Sequence, residues 1–497
     1  MTDAPLTVAL DTGRIMGRRT HSARVFEGVR YADPPIGDNR WTLPRPATPW
    51  SGTADATKPG ALCPQPGQSP ELTDEDCLFV NVTTPLAEPR EPLPVMVWLH
   101  GGGFTTGGGH PYDAQRLAEQ GDVIVVTVNY RLGVFGYFGY EGLPGSGNFG
   151  LADQIEALSW VQRNAAAFGG DPGNVTVFGQ SAGAMSLGAL LASPDAEGLF
   201  HRAILQSGSP MLHWQRGVMF PRSPEHTPYL SASRVAETGA QLARKFNIGK
   251  EDALEKLRAI EANTLVEHTG DFANHVAWGT SLLPQHPADA VREGRVHPVP
   301  MISGNTRDEM RSFIAGAHSV NPITREKLPE LMVNSFDDRA SLVAEQYAPV
   351  GNDVAVMTWS TITTDASFAF AAHREHELLS DRVAVFAYEF ADRTAPNVNG
   401  VEEVPGLPMG ATHASDLPYF FDLYGHDMLT PEQRELSDVM IDYWTSFAHN
   451  GVPTAERGPA WQPFGDEQNV LGFDERGVEP IDFRRRHNVD FWAGMRA

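Results

Sequence analysis

The sequence predicts an α/β fold, with a central, mostly parallel sheet flanked by helices, and three observations carry that expectation. First, six short runs are rich in β-branched residues and apolar on both faces: Val95–Leu99, Val123–Tyr130, Asn174–Gly179, Ala203–Gly208, Val299–Gly304 and Val383–Phe390. Strands covered by helices on both sides read this way, whereas a half-solvated sheet alternates apolar and polar residues. Second, the segments between them carry helical spacing, as in Leu151, Ile155 and Leu158, and again in Val235, Gly239, Leu242 and Phe246. Third, Thr430 and Gln433 form a capping-box pattern with Pro431 at the first helical position. That helix sets Leu436, Met440, Tyr443 and Phe447 on one face.

Strands alternating with helices give one doubly wound sheet. No repeat or long linker interrupts the 497 residues, so a single domain is expected, with long and mainly helical insertions at about 210–298 and 311–382. Proline is dense between Pro34 and Pro94, and that stretch reads as loops and short strands.

Composition narrows the partners. With 38 Lys and Arg against 62 Asp and Glu the formal charge is −24, which disfavours nucleic acid and anionic membrane surfaces. The one basic run, Arg484 to Arg486, reads as a solvated turn. Apolar runs fall well short of the ~18 residues that cross a bilayer, and no charged-then-apolar leader follows Met1, so a soluble protein is expected, cytoplasmic unless exported by an unrecognised route. Two cysteines, Cys63 and Cys77, are too few for a disulfide scaffold or a four-cysteine zinc site.

Chemistry enters at Gly179-Gln180-Ser181-Ala182-Gly183, between the run ending at Phe178 and a small-residue helical stretch. In such a G-x-S-x-G elbow the serine occupies a strained turn, and the flanking glycines let strand and helix pass without collision. Upstream, His100-Gly101-Gly102-Gly103-Phe104 directly follows the first strong strand. Adjacent glycines leave backbone N–H groups free to approach a substrate oxygen, as an oxyanion hole requires. Neither spacing typical of glycine-rich phosphate loops occurs there. A serine nucleophile needs a base, and the base an acid, in the chain order serine, acid, histidine. After Ser181 the strand Val299–Gly304 leads into Asp308 and Glu309, either of which could serve. His413, on a Gly/Ala/Ser-rich loop, is one candidate base among 17 histidines.

Further segments extend the pattern: "FEGVRYADPPIGDNRW", "EDCLFVNV", "WLHGGGF", "NFGLADQIEALSWVQRNAAAFGGDPGNVTVFGQSAG", "SGNTRDE", "THASDLPYFF" and "DYWTSFAHNGVP". In order, from about Phe26 to Trp461, they resemble the type B carboxylesterase family, which includes the cholinesterases. The resemblance implies an α/β-hydrolase fold and hydrolysis of small-molecule carboxylic esters without metal or organic cofactor. Position by position it implies Ser181 as nucleophile, Glu309 as acid and His413 as base. It also implies Gly102, Gly103 and Ala182 as oxyanion donors, with Ser207 and Asp416 supporting the triad. Gln180 stands where the family often carries Glu, and a neutral amide there removes a negative charge beside the imidazole. Cys63 and Cys77 match the ends of a cholinesterase disulfide loop and could pair. The residues between them include no aromatic, which argues against choline esters. Phe104, Phe149, Trp214, Trp278 and Met409 are candidate pocket walls. An amidase or carbamate hydrolase using the same triad, and a catalytically silent binding module, are the alternative functions.

Overall fold

In the computed structural model, residues 6–218, 223–348 and 355–496 are described; 219–222 and 349–354, parts of the two expected insertions, lie outside them. Among the described residues the main sheet has 11 strands. In chain order these are β1 (Arg18–Arg19), β2 (Ala23–Arg30), β3 (Phe79–Pro85), β4 (Leu93–Leu99), β5 (Ile124–Val128), β6 (Gly170–Gln180), β7 (Arg202–Gln206), β8 (Met301–Thr306), β9 (Val385–Phe390), β10 (Val470–Asp474) and β11 (Gly477–Ile481). Their spatial order is β1-β2-β3-β5-β4-β6-β7-β8-β9-β10-β11. Every pairing from β5 through β4 and β6 to β10 is parallel, and the antiparallel pairings lie toward the two edges.

All six β-branched runs are strands of this parallel centre, β4 to β9. Alternation along them feeds two apolar layers. Val95, Val97 and Leu99 of β4 enter one layer, while Met96 and Trp98 enter the other beside Phe178, Ile204 and Ile302. The helices used below are α1 (Phe149–Asn164), α2 (Ala182–Leu191), α3 (Ala232–Lys245), α4 (Arg311–Val320), α5 (Ala355–Thr364), α6 (Phe370–Ser380), α7 (Pro431–Asn450) and α8 (Val489–Arg496). Val235, Gly239 and Leu242 form the buried face of α3. The capping box opens α7, with Thr430 and Gln433 bonded reciprocally. No helix among the described residues is long and apolar enough to cross a membrane.

Two expectations change. The proline-dense stretch contains a full seven-residue strand, β3, which pairs antiparallel with the eight-residue β2. Their register shifts between Phe26 and Val29, where Gly28 N–H donates to Asn81 Oδ1 at 3.0 Å, and this irregularity breaks the alternation in sequence. The Arg484–Arg486 run is not a solvated turn throughout, because Arg486 folds back onto the buried Glu389.

The cysteines also differ from the family pattern. Cys63 and Cys77 are buried and free. The Cys77 thiol is hydrogen-bonded to Cys63, and that contact together with burial pushes its pKa up. Cys63 Sγ in turn accepts from Leu132 N–H at 3.2 Å. The sulfurs thus meet through a hydrogen bond where the resemblance offered a covalent one. Thiol titration of the denatured, unreduced protein is expected to find two thiols, and finding none would contradict this arrangement.

Candidate active site

Strand β6 ends at Gln180 and α2 begins at Ala182, leaving Ser181 alone in the turn at φ 55° and ψ −123°. A residue with a Cβ is strained there and persists only where its surroundings dictate it. Gly183 supplies that constraint: a Cβ on it would lie 1.9 Å from the Leu99 carbonyl oxygen. The turn is further held by Ser181 N–H donating to Gln206 O and Met185 N–H donating to Ser181 O, both at 2.9 Å.

Strand β4 runs into His100 and the glycine loop. Gly102 and Gly103 have φ of +107° and +61°, and a Cβ on Gly102 would sit 2.1 Å from Thr106 O. The Gly102 carbonyl is turned back to accept Thr105 and Thr106 N–H at 3.0 and 3.1 Å. The N–H groups of Gly102 and Gly103 have no acceptor among the described residues. Ala182, first in α2, likewise has an N–H with no partner within its helix. His100 anchors the loop from below. It stacks on Tyr130 with ring centroids 4.4 Å apart, and its Nδ1 donates to Gly101 O at 2.8 Å. Burial lowers its pKa to about 4, so it is a neutral structural group.

Beyond β8, the two acidic candidates separate cleanly. Asp308 pairs with Arg311 and Arg393 at 2.8 and 3.0 Å. Glu309 is fully buried; its Oε1 accepts Thr306 N–H at 2.8 Å, and its Oε2 accepts His413 Nδ1–H at 2.5 Å. With Nδ1 donating, the His413 Nε2 carries a lone pair. Gln180 Nε2 lies 3.2 Å from it and donates to it. The rings of Phe313 and Phe368 flank the imidazole, with centroids at 5.1 and 5.4 Å.

The supporting positions are less engaged. Asp416 is buried and accepts from Gln206 Nε2 at 2.8 Å. Burial and the proximity of Glu309 raise its pKa to about 6. Ser207 is buried in a left-handed conformation, and its hydroxyl has no hydrogen-bond partner. Neither hydrogen-bonds to Glu309 or His413.

Ser181 and His413 face one cavity of about 630 Å³, together with Gly102 and Gly103. Of the five expected wall residues only Trp214 lines it, stacked on His226 at 4.8 Å. Phe104 is core, packed edge-on against Tyr137 at 5.0 Å, and Phe149 lies under the Arg131 guanidinium at 5.3 Å. Trp278 packs against His286 at 5.9 Å and Met409 is buried away from the cavity. The walls that sequence reasoning missed are Phe313, Phe368, Met185, His226 and Asn274. The cysteine loop contributes Gln65, Pro66, Gln68 and Leu72, none aromatic. A second cavity, of about 670 Å³, borders the neighbouring residues Leu212, His213 and Gln215 but contains none of Ser181, Glu309 and His413, so size alone does not locate the site.

Comparison with known proteins gives a consistent picture. A profile of the carboxylesterase family matches residues 4–492. The para-nitrobenzyl esterase of Bacillus subtilis (strain 168) is 33% identical over 93% of this chain and 93% of its own length. The phenmedipham hydrolase of Pseudarthrobacter oxydans is 34% identical over 92% of each chain. A solved structure described as a thermophilic PNB esterase superposes with a TM-score of 0.80 at 31% identity, covering 98% of this chain and 100% of the other.

On α6, Glu375 is fully buried against β8. Its Oε1 accepts from Ser303 Oγ at 2.8 Å, and its Oε2 is unpartnered. Burial outweighs the hydrogen bond from Ser303 and pushes its pKa up to about 7. The adjacent His376 is held neutral by burial, which lowers its pKa to about 3. A raised carboxyl pKa favours the protonated form in the folded state, so the stability it contributes in acid is lost as pH rises through about 7. Glu375→Gln is therefore expected to match the parent in urea unfolding near pH 4.5 and to exceed it by roughly 3 kcal/mol near pH 8. A difference independent of pH would contradict this.

Proposed function

Because this chain belongs to the carboxylesterase family and is a carboxylic ester hydrolase, we propose that it works as a single hydrolase domain through an acyl-enzyme on Ser181, with His413 as base and Glu309 as its orienting acid. The observation that carries the assignment is the 2.5 Å bond from His413 Nδ1 to Glu309 Oε2 beside a strained serine in one cavity. It fixes the tautomer in which Nε2 is a base.

The Nε2 lone pair takes the Ser181 hydroxyl proton as Oγ attacks the ester carbonyl carbon. Negative charge moves to the former carbonyl oxygen, toward the N–H groups of Gly102, Gly103 and Ala182. Collapse expels the alcohol, which leaves with the proton from Nε2. Water then repeats the sequence on the acyl-enzyme, His413 again taking and returning the proton, and the carboxylic acid departs. Glu309 keeps its hydrogen bond to Nδ1 throughout and stabilises the imidazolium. Ser207 and Asp416 act, in this reading, only by packing behind these groups.

Gln180 modifies the base. Its amide N–H occupies the lone pair that Ser181 must use, and once Nε2 is protonated the amide has to present its oxygen instead. Trp214, Phe313 and Phe368 suit an apolar portion of a small-molecule ester, and the cavity of about 630 Å³ holds one such molecule.

Ser181→Ala and His413→Ala are each expected to lower kcat/KM on a p-nitrophenyl ester by roughly 10⁴-fold or more, with circular dichroism unchanged. Parent-like rates in either folded variant would refute the assignment. Gln180→Glu places a negative charge beside Nε2 and favours the protonated imidazole, so the acid limb of kcat/KM is expected to move to higher pH. An unmoved or lowered acid limb would show that Gln180 does not act on the base.

A further inference from the structure

The segment carrying Glu309 also walls a smaller, strongly charged cavity of about 120 Å³. Arg307, Arg311, Arg393, Arg486 and His487 converge on it from separate stretches of chain. Burial works against charge on His487, but Asp365 and Glu389 hold its two ring nitrogens and raise its pKa to about 10, so it is a fifth cation. The carboxylates in the wall are Asp308 and Asp365; Glu389 lies behind Arg486 and His487, and Glu403 also acts on Arg311. Positive charge is in excess.

Four of the cations are already engaged: Arg311 and Arg393 by Asp308, Arg486 by Glu389, and His487 by Asp365 and Glu389. Arg307 is not. Its backbone N–H donates to Phe390 O at 2.8 Å, but its guanidinium has no hydrogen bond or ion pair among the described residues. Burial and the like charges of Arg393 and Arg486 depress its pKa, outweighing the nearby carboxylates of Glu389 and Asp308, with which it forms no ion pair. A second group in the wall is also unused: Ser360 on α5 is 1% exposed, and its Oγ has no partner. A half-buried guanidinium without an acceptor, beside an orphaned hydroxyl and among like charges, is unfavourable unless something negative fills the space.

We propose that this cavity binds a tetrahedral oxyanion of the phosphate or sulfate type, held by the Arg307 guanidinium and the Ser360 hydroxyl in the field of Arg393 and Arg486. The planar fork of arginine matches two oxygens of such an ion, and a third oxygen accepts from the serine. The cavity, of about 120 Å³, has room for a tetrahedral ion. The site is separate from the ester cavity; Asp308 in its wall accepts from Ala411 N–H at 3.2 Å, two residues before His413.

Isothermal titration of the full-length protein with inorganic phosphate, sulfate and glycerol phosphate, at constant ionic strength set with sodium chloride, tests this directly. Saturable binding of one ion per chain is expected. Glycerol phosphate binding as well would make a phosphomonoester the source, and inorganic ions alone a free oxyanion. Arg307→Gln is expected to weaken binding by about tenfold or more, Arg307→Lys to weaken it less because charge is kept, and Ser360→Ala to weaken it measurably. No saturable heat from any of the three ions, or equal affinity in the parent and the Arg307 variants, overturns the proposal. Should Arg307→Gln fail to fold, the parent, Arg307→Lys and Ser360→Ala titrations decide by the same criteria.

Discussion

The backbone of Gly183 passes the carbonyl of Leu99 so closely that no side chain fits between them, and the arrangement around Ser181 depends on that passage. It joins the first turn of α2 to the end of β4, so the elbow and the glycine loop are parts of one packed unit. Register reinforces this, because Gly179 of β6 lies directly opposite Leu99 of β4 in a parallel ladder. The strand that delivers Ser181 and the strand that delivers the proposed oxyanion donors therefore end side by side. Glu309 follows the end of β8, two strands along in the same direction, and His413 reaches it from the loop beyond β9. Parallel strands place their carboxyl ends on one edge, and side chains from distant stretches of chain meet there.

What surrounds the imidazole is as much part of the chemistry as what it bonds. Phe313 and Phe368 flank the ring of His413, and the lower local dielectric they create strengthens its bond to Glu309. Phe368 sits in a single π-helical turn, Asp365–Ala369, between α5 and α6. The turn is tied at Asp365 to His487, Tyr347 and Asn488, so the C-terminal region braces a wall of the ester cavity. The ion cluster around His487 thus serves two regions, the aromatic wall on one side and the cationic cavity on the other.

Legibility in the sequence followed physical periodicity. The central strands were readable because burial on both faces selects β-branched runs, and α7 because its capping box and apolar face coincide. The elbow was readable because steric demand leaves only glycine at its flanks. Glu309 and His413 were readable only through the family resemblance, since a carboxylate pair at a strand end and one histidine in 17 are not distinctive. The pocket was largely unreadable. Phe104 and Phe149 have the same hydrophobicity as Phe313 and Phe368, and only tertiary packing sends the first pair to the core and the second to the cavity. A π turn changes which way Phe368 faces without leaving a mark in the sequence. The Arg484–Arg486 run misled for a related reason, because the buried acid that captures Arg486 lies 97 residues away.

The proposed mechanism acylates Ser181 in its strained turn. Intact-mass spectrometry after brief exposure to an activated fluorophosphonate, followed by peptide mapping, addresses it most directly. One adduct per chain on the peptide bearing Ser181, blocked by prior incubation with an ester substrate, is the expected result. An adduct on another residue, or an active preparation that remains unlabelled, would refute Ser181 as the nucleophile.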